Sequence, residues 1–184
     1  MAHIELGVDE EKYPGMAGLA QYRPDTAMPL LQLAQILLRG PNTLPPGERE
    51  LIASCVSARN GCTFMVLTHS AFAAAQLDGG MPLVKQVQSD PDAAPVSDKL
   101  RALLQVAEAT RESGRQVTEE LVKAARAAGA SDLEIHDTVL IAAVTSMYNR
   151  YVDGLATSYP EDPAPYAAQA EQIIANGYNT EASF

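Results

Sequence analysis

Between residues 26 and 158 the chain is a succession of segments with helical period, and nowhere does it alternate apolar and polar residues between hairpin turns. That pattern suits helix-on-helix packing rather than a sheet, so the chain is predicted to be all-α. The first segment, residues 26–39, can be capped by Thr26 and takes Pro29 in its first turn. Leu30, Leu31, Leu33, Ile36, Leu37 and Leu38 give it an apolar face, and Gly40-Pro41 ends it. A helix over 48–59 opens on glutamates, which the helix dipole favours, and stops at Asn60-Gly61. Further segments span 62–77, 82–88, 97–114 and 118–129, with Asp78-Gly79-Gly80 and Gly129 as terminators. Ser131 and Glu134 form a capping box that opens a long helix reaching about residue 158. Pro160, Pro163 and Pro165 then make a stiff link to a last short helix, 166–176.

The expected organisation is an irregular arm over 1–25, punctuated by Pro14, Gly15, Gly18 and Pro24, a helical domain over 26–158, and a helical tail over 159–184. The bundle should hold about seven to eight helices. A hydrophobic content of 47% supports a core in a chain of this length, and much of it is alanine, with aromatics at only 5%. Small side chains let helix axes approach closely.

Partners and compartment follow from charge and cysteine usage. The formal net charge is −10 and the thirteen basic residues are scattered, which argues against nucleic acid or an anionic membrane as partner. No apolar run approaches the roughly 18 residues of a membrane span. Residues 1–11 are acidic and do not read as a signal peptide. Two cysteines, Cys55 and Cys62, exclude a disulfide scaffold and suit a cytoplasmic setting.

Cysteine and histidine are rare, so their placement carries weight. Cys62 stands where the Asn60-Gly61 turn enters a helix, a position where the dipole stabilises a thiolate. Met65 and His69 follow at three and seven residues, on the same helical face. If the preceding helix folds back antiparallel, Glu50 can reach His69 and set its tautomer. On residue types alone, the plain alternative is a cysteine acting as a small buried hydrophobe and a histidine satisfied by hydrogen bonds. One cysteine and one histidine are too few for a metal site, and no cofactor is called for. On a continuous helix, Cys55 and Cys62 would have Cα atoms roughly 10 Å apart. A disulfide needs about 7 Å or less, so the pair is not expected to bridge.

The run Glu48-Arg49-Glu50-Leu51-Ile52-Ala53, Val56-Ser57-Ala58, Asn60-Gly61-Cys62 and His69 resembles the carboxymuconolactone decarboxylase superfamily. More narrowly it resembles the alkylhydroperoxidase D-like (AhpD-like), peroxidase-related branch. The order of the segments from Leu100 to Ala156, with Asn149-Arg150 near the end of the long helix, extends the likeness over about residues 10–158. The resemblance implies an AhpD-like helical bundle, a homo-oligomer, and a Cys-x-x-Cys-x-x-x-His motif. In that motif the second cysteine reacts, the first resolves it, and an upstream glutamate relays protons. Carried across, these roles fall on Cys62, His69 and Glu50 as catalytic residues, while the reactive cysteine is replaced by Met65. A thioether forms no disulfide, so the inherited two-cysteine cycle is lost or altered to one cysteine.

Three functions follow from the resemblance. The first is an antioxidant, alkylhydroperoxidase-like oxidoreductase in which Cys62 is oxidised by peroxide and restored by an external thiol reductant. The second is an acid–base catalyst of the decarboxylase type using Glu50 and His69 on a small carboxylate, with Met65 and Phe64 lining the pocket. The third is a non-enzymatic oligomer in which Met65, Phe64, Phe72 and Met147 are simply core. Outside the motif, His136 reads as structural or exposed. Asn149 and Arg150 read as helix-packing or subunit-contact residues, with a pairing of Arg150 to Glu50 also conceivable.

Overall fold

The structure is a computed structural model and describes residues 1–178. Among these residues there are nine α-helices, one 3-10 turn and no strand. They are α1 (Met16–Tyr22), α2 (Pro24–Arg39), α3 (Pro46–Asn60), α4 (Thr63–Ala74), α5 (Gly80–Ser89), α6 (Asp98–Glu112), α7 (Glu119–Ala127), α8 (Asp132–Gly154) and α9 (Ala164–Asn176). The all-α expectation therefore holds, whereas the count of seven to eight is one short. The additional helix is α1, inside the stretch read as an irregular arm. Pro24 does not break this region; it occupies the first turn of α2, where its missing N–H costs nothing.

Several boundaries differ from the sequence reading for local reasons. Thr26 does not cap α2, because its hydroxyl donates to the Arg23 carbonyl at 3.0 Å. Ser97, Thr118 and Ser131 each cap the helix that follows, and Ser131 with Glu134 makes the complete capping box. The long helix α8 stops at Gly154 rather than near 158, and Ala156 at φ 51° turns the chain away. That turn lets Ser158 accept from the Gly15 N–H at 2.8 Å, so the N-terminal arm is tied to the far end of α8. The His3 N–H, donating to the Leu155 carbonyl at 2.8 Å, makes a second tie.

Helix α3 is the axis of the bundle. Residues Arg49 to Ser54 are all buried, and the helix contacts α2, α4, α5, α6 and α8. A helix wrapped on all sides cannot be strongly amphipathic, which is why polar Arg49, Glu50, Ser54 and Ser57 are as buried as Leu51 and Ile52. The α3–α4 hairpin turns at Gly61, whose φ of 75° and ψ of 15° lie in the left-handed region that favours glycine. The Cys62 N–H closes the turn on the Ser57 carbonyl at 3.1 Å. This tight reversal sets α3 and α4 side by side and brings Glu50 opposite His69.

No helix among the described residues is long and apolar enough to cross a membrane.

Candidate active site

Glu50 projects from α3 and His69 from α4, and both are buried. Glu50 Oε2 lies 2.7 Å from His69 Nδ1. Glu50 Oε1 accepts a hydrogen bond from the Tyr178 hydroxyl, also at 2.7 Å. A carboxylate that accepts on both oxygens makes Nδ1 the donor, and in the neutral ring Nε2 then carries the lone pair. Among the described residues Nε2 has no partner, and the ring borders a cavity of about 310 Å³.

Tyr178 is delivered from the far end of the chain. Gly177, at φ 78°, turns it inward after α9, and a Cβ at Gly177 would overlap the Gln35 side chain. That closeness lets the Tyr178 N–H donate to Gln35 Oε1 at 2.7 Å. Arg39 holds the same end of α9 by donating to the Ile174 carbonyl at 2.9 Å. Burial pushes the Tyr178 phenol well above its ordinary pKa, and the Glu50 charge pushes it further. It therefore stays protonated, and a donor, around neutral pH.

The cavity is walled mainly by hydrocarbon: Leu31, Leu37, Phe64, Met65, Phe72, Ile141 and Ile173. Met65 and Phe64 both line it. The N-terminal arm (Lys12, Pro14), α1 (Met16, Ala17) and the start of α9 (Pro165, Tyr166, Gln169) complete the wall. So segments read from sequence as arm and tail close the space over His69.

Cys62 is not part of this arrangement. It is fully buried, does not border the cavity, and directs its thiol to Asp153 Oδ1 at 3.2 Å. Burial pushes the thiol up to about 12; a bond from the Met65 N–H opposes this, and the Asp153 carboxylate adds to the rise. The helix-start position expected to favour a thiolate is thus overruled, because desolvation and a facing carboxylate both penalise negative charge on sulfur. Cys55 is likewise raised to about 12 by burial, and both cysteines are free thiols.

Other singled-out residues are dispersed. His136 is exposed beside Asp137, at 2.8 Å. Asn149 packs α8 on α3, donating to Ser57 Oγ at 3.1 Å and accepting from Asn60 at 2.8 Å. Arg150 donates to the Ser146 carbonyl, not to Glu50, whose oxygens are occupied by His69 and Tyr178. Among the described residues no group of three or more His, Cys, Asp or Glu side chains is arranged to hold a metal ion.

The residues that sequence reasoning missed are Tyr178, Thr145, Tyr148 and Asp153. The nearest available signal for Tyr178 was a glycine stop followed by an aromatic residue in a chain poor in aromatics.

The bundle resembles solved structures. One is an uncharacterised peroxidase-related protein from Ralstonia eutropha JMP134, described as an alkylhydroperoxidase AhpD core. It has a TM-score of 0.76 and 23% identity over 85% of this chain and 80% of that one. Another is an uncharacterised peroxidase-related protein from Silicibacter sp. TM1040, with a TM-score of 0.75 and 24% identity over 88% of this chain and 84% of that one. The fold is AhpD-like. No protein-family model matches the chain, and no curated protein is significantly similar to it. At this identity the AhpD-like likeness is one of architecture, and the chemistry must be argued from the side chains.

Proposed function

We propose that this AhpD-like chain is an acid–base catalyst in which His69, held by Glu50, moves a proton on a small, mostly apolar substrate bound in the cavity. The observation that carries the proposal is the buried 2.7 Å contact between Glu50 Oε2 and His69 Nδ1, behind a ring that borders a hydrocarbon-lined cavity. A histidine with one nitrogen fixed and the other unpartnered, on a ring that borders a hydrocarbon-lined cavity, is arranged to accept and return a proton. Tyr178 acts through Glu50 as a positioning residue. Met65 and Phe64 serve as wall.

The peroxidase reading draws support from the names of the two structural neighbours, both called peroxidase-related. In this chain it would have to run through Cys62, with Met65 at the position of the reactive cysteine. A thiol that is buried, off the cavity and raised to about 12 is poorly suited to attack a peroxide. Treating the protein with hydrogen peroxide and following the mass of the Cys62 peptide separates the two readings. The expected result is no sulfenic acid at Cys62 in the folded protein. Rapid, thiol-reversible oxidation there would replace the acid–base proposal with a one-cysteine peroxidase.

A further inference from the structure

Among the polar side chains around the cavity, the three tyrosines and Thr68 have protein partners, whereas the half-buried Gln169 amide has none among the described residues. Tyr148 donates to the Leu30 carbonyl at 2.7 Å, Tyr166 to the Pro160 carbonyl at 2.8 Å, and Tyr178 to Glu50 at 2.7 Å. Thr68 donates back along its helix to the Phe64 carbonyl at 2.9 Å. Thr145, on α8, differs from all of these. It borders the cavity, is 4% exposed, and its hydroxyl makes no hydrogen bond to any described residue. Helical threonines can bond the carbonyl four residues back, as the buried Thr68 and the half-buried Thr110 do here. On α8 neither Thr145 nor the fully buried Thr138 does so, and of the two only Thr145 borders the cavity. A hydroxyl that borders the cavity without a protein partner is free to bond a molecule bound there.

We propose that Thr145 is a second substrate contact, donating its hydroxyl to a carbonyl oxygen while His69 Nε2 takes a proton from the adjacent carbon. The inference rests on the acid–base reading of His69. It names the substrate class as an uncharged, largely hydrocarbon carbonyl compound. Lys12, an exposed residue of the arm, is the only Lys, Arg, Asp or Glu among the lining residues, so a charged group deep inside would lack a partner. The step balances without a co-reactant. The C–H electron pair becomes a carbon–carbon double bond, and the carbonyl π pair moves to oxygen, where Thr145 meets the enolate. The proton held on Nε2, or one exchanged with solvent, then returns to carbon. A donor aimed at the oxygen that gains charge stabilises that enolate.

The test uses the full chain with two probes. Binding is read by fluorescence of 2-naphthol, an enol mimic, with naphthalene as its counterpart lacking oxygen. Proton transfer is read by NMR as deuterium uptake from heavy water next to the carbonyl of cyclohexanone. Thr145→Val should bind 2-naphthol about tenfold more weakly, as expected for one lost hydrogen bond, bind naphthalene unchanged, and exchange at least about tenfold more slowly. Thr145→Ser, which keeps a hydroxyl, should restore most of the 2-naphthol affinity that Thr145→Val loses. Equal 2-naphthol affinity in wild type and folded Thr145→Val overturns the proposal. Loss of exchange in His69→Ala with full exchange in Thr145→Val overturns the role of Thr145 and leaves that of His69 standing. Thr145-dependent naphthol binding without any wild-type exchange supports the oxygen contact and overturns His69 as base.

Discussion

The Tyr178 hydroxyl reaches Glu50 Oε1 at 2.7 Å across 128 positions of sequence, and both groups are buried. The C-terminal segment therefore donates to the carboxylate that orients His69. None of helices α2 to α8 supplies a donor to Glu50 Oε1.

Tyr178→Phe keeps the ring against Phe72 (centroids 6.2 Å apart) and removes only the hydroxyl. Loss of one hydrogen bond to a charged group should lower stability by about 1.5–3 kcal/mol, measured by urea unfolding. Glu50 Oε1, left without its donor, should shift more of its hydrogen-bonding capacity to His69. The resonance of the His69 Nδ1 proton, followed by NMR, should then move. An unchanged resonance would show that Tyr178 is only packing.

Glu50→Gln preserves shape and replaces the accepting carboxylate with an amide. His69 loses the charge that favours its protonated form during proton transfer. A fall in rate of about 10²–10⁴-fold is expected, the usual scale of acid–base assistance, with the substrate's affinity little altered. Full activity in this variant would remove Glu50 from the machinery.

Cys62 should be chemically silent in the folded protein. With its thiol raised to about 12 and fully buried, iodoacetamide at pH 7–9 should label it only after unfolding. Cys62→Ser should keep the fold and activity, since serine can still donate to Asp153. Labelling of Cys62 itself in the native protein at neutral pH, located by peptide mass, would contradict the structure.

Stability should fall on both sides of neutrality. Burial alone would raise Glu134, but hydrogen bonds from Lys99, the Ser131 N–H and Thr43 outweigh it and hold it at about 2. Its folded value is below the unfolded one, so its stabilisation is complete above pH 4.5 and is lost as pH falls towards about 2. The two cysteines have the opposite sign. Each is raised from 9.0 to about 12, so their contribution is complete below pH 9.0 and is lost as pH rises towards about 12. Thermal unfolding from pH 2 to 11 reads both limbs. Glu134→Gln should flatten the acid one and cost about 0.5–2 kcal/mol through the weakened capping box.

The helices were legible because their signals are local. Ser97, Thr118 and Ser131 each cap the helix they precede, and the Asn60-Gly61 stop produces the hairpin that pairs Glu50 with His69. Even that pairing needs only a short reversal. By contrast, α1 and the early end of α8 depend on the arm crossing residues 155–158, a contact with no local signature.

The sequence by itself determined the helical architecture and the rare Cys–His helix, since period, caps and breakers act within a few residues. Only the tertiary structure decided what that helix presents. It turned Cys62 inward against Asp153, where desolvation defeats the helix dipole, and left His69 at the cavity with Nδ1 held by Glu50. It also brought Tyr178 and Thr145 to the same space from distant segments. Burial and charge proximity are properties of the packed chain, and no spacing along the sequence encodes them.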